Sequence, residues 1–406
     1  MAVNLPEPSG VLTVPGVRLG TGAAAIKRAG RDDLVLFVFD PGTRVAGVFT
    51  RSAFRAAPVI LADANIRRGD VRALLINSGN ANAATGDQGI EDARALCTVL
   101  AEALDLPAEA IAPFSTGVIG ERLPVSRMAP VVRELPGSLD ADNWLKAGRA
   151  IMTTDTVAKV RSCRGSVGGR EVTVSGMAKG AGMIRPDMAT MLAFVCTDAA
   201  VGRDCLQALL YKAVNKSFNR ITVDGDTSTN DSLILAATGA AGGEAIDDAA
   251  STEARALFEL ILPVCMELAQ AIVRDGEGAT KFVTVRVTGG RDEGECLKAA
   301  YTIAESPLVK TALFASDPNW GRLAMAVGRA GIDGLDPAKV QIWFDDVKVM
   351  TGGLKDAGYT EAAGAGVLAQ SEFEIRVDLG RGDAESVVWT SDFSYDYVKI
   401  NAEYRT

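Results

Sequence analysis

Six consecutive apolar residues, Met191-Leu192-Ala193-Phe194-Val195-Cys196, follow directly on the loop Lys179-Gly180-Ala181-Gly182-Met183-Ile184-Arg185-Pro186-Asp187-Met188-Ala189-Thr190. So short and uniformly apolar a run, bounded by glycine and proline, reads as a buried strand and commits the chain to a layered core. Thr190 stands at the first position of that run. Most threonines placed there merely begin a strand.

Composition sharpens the question. The chain of 406 residues contains no histidine, so no imidazole base and no His-dependent triad exist anywhere in it. Carboxylates titrate well below neutrality and lysines well above, and an unaided hydroxyl is a poor nucleophile. A free α-amine titrates at about 7.7–8, and a threonine that uses its own amino terminus as base is a known form of nucleophile activation. Thr190 acquires such an amine only if the chain cuts itself between Ala189 and Thr190. The expectation is therefore attack by the hydroxyl on the preceding carbonyl, an ester, and hydrolysis to a new N-terminus.

Net charge of −9 argues against nucleic acid and anionic membrane as partners, since either favours a basic patch. Residues 1–8 lack the basic and apolar regions of a signal peptide, and no apolar stretch reads as long enough to span a bilayer, which predicts a cytoplasmic protein. The six cysteines form no C-x-x-C pair, so neither a metal centre nor a disulfide is expected. The acidic loop Asp224–Asp231 mimics the start of a calcium loop but fails at its sixth and twelfth positions, Thr229 and Leu235.

Strands and helices alternate through both halves, which predicts α/β layers. Leu34–Phe39 and Val45–Thr50 flank Asp40-Pro41-Gly42 and read as a hairpin. The strand Ala73–Ile76 feeds an asparagine-rich loop, 77–86, ahead of a helix from Ile90 to Leu104; it lacks both phosphate-loop fingerprints and reads as a structural turn. Ile111–Gly120 repeats the design, with Thr116-Gly117 in a turn able to present N–H groups to an oxyanion. Helices are expected over 143–152, 203–218, 251–273 and from Ser306-Pro307 to Phe314, with a strand over 282–287. Asp317–Arg322 reads as a turn, and the aromatic tail 392–406 as a segment buried against the body.

Residues 179–198, the 77–86 loop, Thr116-Gly117, Thr153-Thr154, Asp275–Thr280, Asp317–Arg322 and the terminal Tyr404-Arg405-Thr406 together resemble the ornithine acetyltransferase family of arginine biosynthesis. The resemblance implies a layered α/β sandwich related to the self-cleaving aminopeptidases. In it residues 1–189 form an α chain and 190–406 a β chain, interlocked and assembled as an α2β2 heterotetramer. It implies ping-pong transfer of acetyl from N2-acetylornithine to glutamate, with Thr190 as nucleophile and Thr116 and Gly117 as the oxyanion site. Substrate contacts fall on Thr153 (Thr154 as second choice), Lys179, Thr190, Glu277, Asn401 and Thr406; Lys179 suits a carboxylate and Glu277 an ammonium. No cofactor is implied, although some members also take acetyl from acetyl-CoA, which the residues do not decide. A self-cleaving N-terminal-nucleophile amidase or aminopeptidase shares the nucleophile and the cut, and a non-enzymatic binding protein of similar fold would remain a single uncut chain.

Overall fold

The computed structural model describes residues 2–185 and 191–403; Ala189, Thr190 and Thr406 lie outside the described residues. Three sheets organise the chain. The first has the order Val17–Gly22, Leu34–Phe39, Ala73–Asn80, Ile111–Val118, and the second Arg44–Phe49, Ser232–Ala237, Leu192–Thr197, Arg170–Lys179, Lys159–Val167.

The first two sheets stack face to face because their strands are apolar on both sides. Val35, Phe37 and Phe39 point into the space between them, whereas Leu34, Leu36 and Val38 face the helices Gly86–Leu104 and Val125–Glu134. In the second sheet Leu192, Phe194 and Cys196 meet the first, while Ala193 and Val195 face the helices Arg203–Lys216 and Thr252–Arg274. Phe194 lies 5.6 Å from Phe37 and 5.2 Å from Phe114 between ring centroids, locking the two inner faces together. The result is a helix–sheet–sheet–helix sandwich, the layered α/β class expected.

The second sheet takes three strands from residues before position 189 and two from after it, and the later two lie side by side among the earlier three. Leu192–Thr197 pairs antiparallel with Arg170–Lys179 and parallel with Ser232–Ala237. The expected cut therefore falls between two neighbouring strands of one sheet.

Two expectations give way here. The hairpin across Asp40-Pro41-Gly42 does not form: Leu34–Phe39 takes partners on both edges within the first sheet, and Arg44–Phe49 pairs with Ser232–Ala237 in the second. Turn residues specify a reversal of direction, not a partner, and this one, closed by the Thr43 N–H to the Asp40 carbonyl at 3.3 Å, passes the chain from one sheet to the other. The second concerns apolar length. The helix Thr252–Arg274 has 23 residues and a mean hydropathy of 1.8 over its most apolar window, enough to cross a bilayer by length and composition. It is a core helix, capped by the Ser251 hydroxyl and packing Leu257, Ile261, Leu268 and Ile272 into the core beneath the second sheet.

The third sheet, of seven strands, has Phe282–Gly290 at its heart between Glu372–Asp378 and Ala384–Ser391. Its alternating face buries Val283, Val285 and Val287 against Cys296, Ala299 and Ile303 of the helix Glu293–Ala304. Ser306 caps the helix Pro307–Phe314 as expected, and Asp317–Arg322 runs directly into a further helix, Trp320–Gly328.

Candidate active site

A cavity of about 270 Å³ opens where the first and second sheets meet the loop before the third; Thr116, Gly117, Thr153, Lys179, Glu277 and Asn401 all line it. These are all the site residues named from the sequence that fall within the described residues. Met191, the neighbour of Thr190, is part of the same wall.

Thr116 and Gly117 end the strand Ile111–Val118, where it runs parallel to Ala73–Asn80. Gly117 has φ +137°, and a Cβ there would lie 2.2 Å from the Gly79 carbonyl carbon and 2.5 Å from the Asn80 nitrogen. Only glycine lets these backbones approach so closely. The asparagine-rich loop holds the other side of the approach: Asn77 Nδ2 donates to the Asn80 carbonyl at 2.8 Å, and the Ser115 hydroxyl donates to Asn77 Oδ1 at 2.6 Å. Its asparagines fix backbone, as a structural turn requires.

Lys179 closes the strand Arg170–Lys179, and its Nζ donates to Thr116 Oγ1 at 3.0 Å. A charged lysine can only donate, so the Thr116 oxygen is the acceptor and its hydroxyl proton is left to point elsewhere. Burial pushes the Lys179 ammonium below its ordinary range, opposed by the charges of Asp155, Asp231 and Glu277.

Glu277 stands in the loop between the helix Thr252–Arg274 and the strand Phe282–Gly290, tied by its own N–H to the Ala181 carbonyl at 2.8 Å. Its Oε2 accepts from Asn401 Nδ2 at 2.8 Å. Gly182 makes room for this carboxylate, since a Cβ there would lie 2.3 Å from Oε2. Asn401 belongs to the terminal helix Tyr395–Ala402. That helix is docked differently from the expectation: none of its residues is buried and Tyr395 is 84% exposed. Polar contacts hold it, the Asn401–Glu277 bond and the Ser394 hydroxyl on the Gly278 carbonyl at 2.6 Å, with Phe393 and Tyr397 stacked at 4.7 Å.

Several site residues carry no local sequence signal. Beneath Thr153, Lys159 donates to Asp155 at 2.7 Å and Asp275 at 2.6 Å, with all three side chains cut off from water. Asp155 also accepts from the N–H groups of Thr153 at 3.0 Å and Gly180 at 2.7 Å, pinning both cavity walls to one carboxylate. Burial works to raise the Asp155 carboxyl, but Lys159, Lys179 and the Gly180 N–H outweigh it and hold it well below the ordinary carboxylate range. The acidic loop that fails as a calcium site serves as a latch: Asp224 accepts from the Met183 and Ile184 N–H groups at 2.7 and 2.8 Å. Among the described residues no cluster of histidine, cysteine, aspartate or glutamate stands ready to hold a metal ion.

Beyond Gly117, Thr153 and Thr154 lies a second cavity of about 230 Å³, rimmed by Lys27, Arg28 and Arg31. The two cavities share Gly117, Thr153 and Thr154 as a common wall.

The sequence pattern of the ArgJ family matches residues 18–406. Proteins of Pseudomonas syringae pv. tomato and Pseudomonas fluorescens, each named arginine biosynthesis bifunctional protein ArgJ, are 52% identical to this chain over 406 residues, with 100% of both chains covered. Among solved structures, an arginine biosynthesis bifunctional protein ArgJ from Bacillus halodurans is 36% identical, covering 50% of this chain and 95% of its own, with a TM-score of 0.48.

Proposed function

The chain belongs to the ArgJ family, and from that premise we propose that it is a glutamate N-acetyltransferase of arginine biosynthesis that moves acetyl from N2-acetylornithine to glutamate. It cuts itself between Ala189 and Thr190, and the Thr190 hydroxyl, with its new α-amine as base, takes the acetyl group while ornithine leaves. Glutamate then collects the acetyl group from the threonine ester. The observation that carries this reading is the convergence of Thr116, Gly117, Thr153, Lys179, Glu277 and Asn401 on one cavity, beside the strand that follows residue 190.

In this mechanism the Thr116 hydroxyl and Gly117 stabilise the tetrahedral oxyanion, and the bond from Lys179 to Thr116 couples a positive charge to the same site. Lys179 also meets a substrate carboxylate, and Glu277, oriented by Asn401, meets a substrate ammonium. Thr153 and Thr406 complete the substrate contacts. Acetyl-CoA is a second donor, and the basic cavity across Gly117 is where its anionic part would be accommodated. The enzyme is proposed to work in the cytoplasm as an α2β2 assembly of its two cut chains.

Intact mass measurement and N-terminal sequencing test the cut: two chains are expected, the second beginning at Thr190, and one chain from Thr190→Ala. Incubation with N2-acetylornithine tests the transfer. Acetylglutamate should appear only with glutamate present; acetate released at one rate with or without glutamate would mark an amidase and sink the reading.

A further inference from the structure

Asp231 lines the cavity immediately before the strand Ser232–Ala237, and only 2% of it is exposed. Its position is fixed by backbone. The Ser232 N–H donates to the Met191 carbonyl at 2.9 Å, and Asp231's own carbonyl accepts from the Thr50 N–H at 3.0 Å. Asp231 is thus held beside the residue that follows Thr190. Its Oδ2 is buried and has no hydrogen-bond partner among the described residues.

A buried polar atom left unpaired is costly and calls for a reason. The other carboxylates at this cavity are committed: Glu277 to Asn401, and Asp155 to Lys159 and two N–H groups. Among the described residues, Asp231 Oδ2 is the carboxylate oxygen of this cavity that is both buried and without a partner. The charged group facing it is Lys179 from the neighbouring part of the second sheet, and the preceding loop contributes Ser228.

Proton counting in the proposed transfer leaves one task without a group to perform it. Ornithine departs as an amine and is stable as an ammonium; glutamate arrives as an ammonium and attacks only as an amine. The Thr190 amine accounts for the proton that passes between nitrogen and Oγ, but not for this second one.

We propose that Asp231 is the proton store of the acyl-transfer cavity, giving its carboxyl proton to the departing amine in the first half-reaction and retaking one from the incoming ammonium in the second. The inference rests on the acetyl transfer proposed above. In the first half, the acetyl C–N bond breaks and the C–Oγ bond forms. The Oγ proton reaches nitrogen through the Thr190 amine, and the Asp231 proton makes that nitrogen an ammonium, leaving a carboxylate. In the second half, the carboxylate takes a proton from the glutamate ammonium and the free amine attacks the acetyl carbon. The C–Oγ bond then breaks, and the remaining proton returns through the Thr190 amine to Oγ. The carboxyl is restored and no proton is exchanged with solvent over the cycle. Burial suits Asp231 to this work, raising its carboxyl well above the ordinary range against the pull of Ser228 and Lys179.

The test uses self-cleaved enzyme carrying Asp231→Asn, a neutral isostere that retains shape. Glutamate-dependent turnover is expected to fall about 10²-fold, the usual size of a lost acid–base group. Hydroxylamine, an amine uncharged at neutral pH, should remove acetyl from the preformed acetyl-enzyme of the same variant at the wild-type rate, since only the second half-reaction is then read and its acceptor has no proton to give up. Turnover with glutamate unchanged, or an equal loss with hydroxylamine, overturns the proposal. Should Asp231→Asn fail to fold or to cut, Asp231→Glu carries the test: a displaced pH–rate profile for glutamate is expected, and an unmoved one overturns it. Wild-type enzyme that makes no acetylglutamate overturns the transfer reading itself, whereas wild-type transfer with an indifferent Asp231→Asn overturns only the proton store.

Discussion

The double-sheet body and the third-sheet region both bury lysines, yet they use them differently. In the third-sheet region Lys281 ends on the carbonyls of Leu368 and Gln370, and Lys310 on the Thr390 hydroxyl and the Ser391 carbonyl. These lysines finish uncharged backbone and hydroxyl groups, and the one carboxylate whose charge reaches both, the buried Asp392, forms no ion pair with either among the described residues. In the body, Lys159 meets two carboxylates, and Lys179 is surrounded by Asp155, Asp231 and Glu277 across a cavity. One region seals its polar groups to hold shape, and the other holds charge where a substrate can reach it.

The largest test of that contrast is Lys159→Met. It strands Asp155 and Asp275 as buried carboxylates without their cation, and should cost about 3–5 kcal/mol of stability in denaturant unfolding. A loss below 1 kcal/mol would mean that the body's buried charges are not mutually dependent.

Glycines sharpen the comparison next. Gly117→Ala drives a methyl into the backbone of Gly79 and Asn80 and should lower acetyl transfer about 10²-fold or more, the scale of a lost oxyanion donor.

Lys310 gives a pH test. Burial pushes its ammonium from an ordinary 10.5 down to about 7, against the weaker pull of Asp392, Asp224 and Glu305. Between those two values the unfolded chain binds the proton and the folded chain does not, so this group makes stability rise with pH across the window. Stability from this source is complete above the unfolded value and falls away as pH drops toward the folded one. Lys310→Met should flatten the rise by up to about 1.4 kcal/mol per pH unit, read as the difference between the two unfolding curves from pH 7 to 10. Parallel curves would show that Lys310 keeps its charge inside the fold.

The smallest effect is expected at Gly366, inside the exposed face of the helix Glu361–Leu368, where an added Cβ meets nothing within 4 Å. Gly366→Ala should raise stability by about 0.5–1 kcal/mol through backbone entropy alone and leave turnover unaltered.

Much of the secondary structure is legible locally. Ser251 and Ser306 announce their helices by capping chemistry, and the continuous apolar runs Leu34–Phe39 and Met191–Cys196 fit strands buried on both faces. Pairing is not local, which is why Asp40-Pro41-Gly42 suggests a hairpin and instead links two sheets. The tail aromatics mislead for a related reason: Phe393 and Tyr397 satisfy each other by stacking and Tyr395 stays in solvent, so apolar content did not require burial. At the site, Thr116-Gly117 and Glu277 stand out through family resemblance. Asp275 joins Lys159 and Asp155 from more than a hundred positions away, and Asp231 hides in a loop whose acidic composition points only to a failed calcium site. Burial, the property that makes these groups unusual, is decided by the whole fold.

The weaving of the second sheet carries a consequence for the life history of the molecule. Two polypeptides produced separately, one ending at 189 and the other starting at 190, would each emerge with an incomplete set of ladder partners, so the sheet is best closed while the chain is continuous. If the chain cuts itself as proposed, folding comes first and scission second. After such a scission the two pieces would stay joined by the hydrogen bonds of a shared β-layer, and the proposed break should leave the molecule's size in solution unaltered.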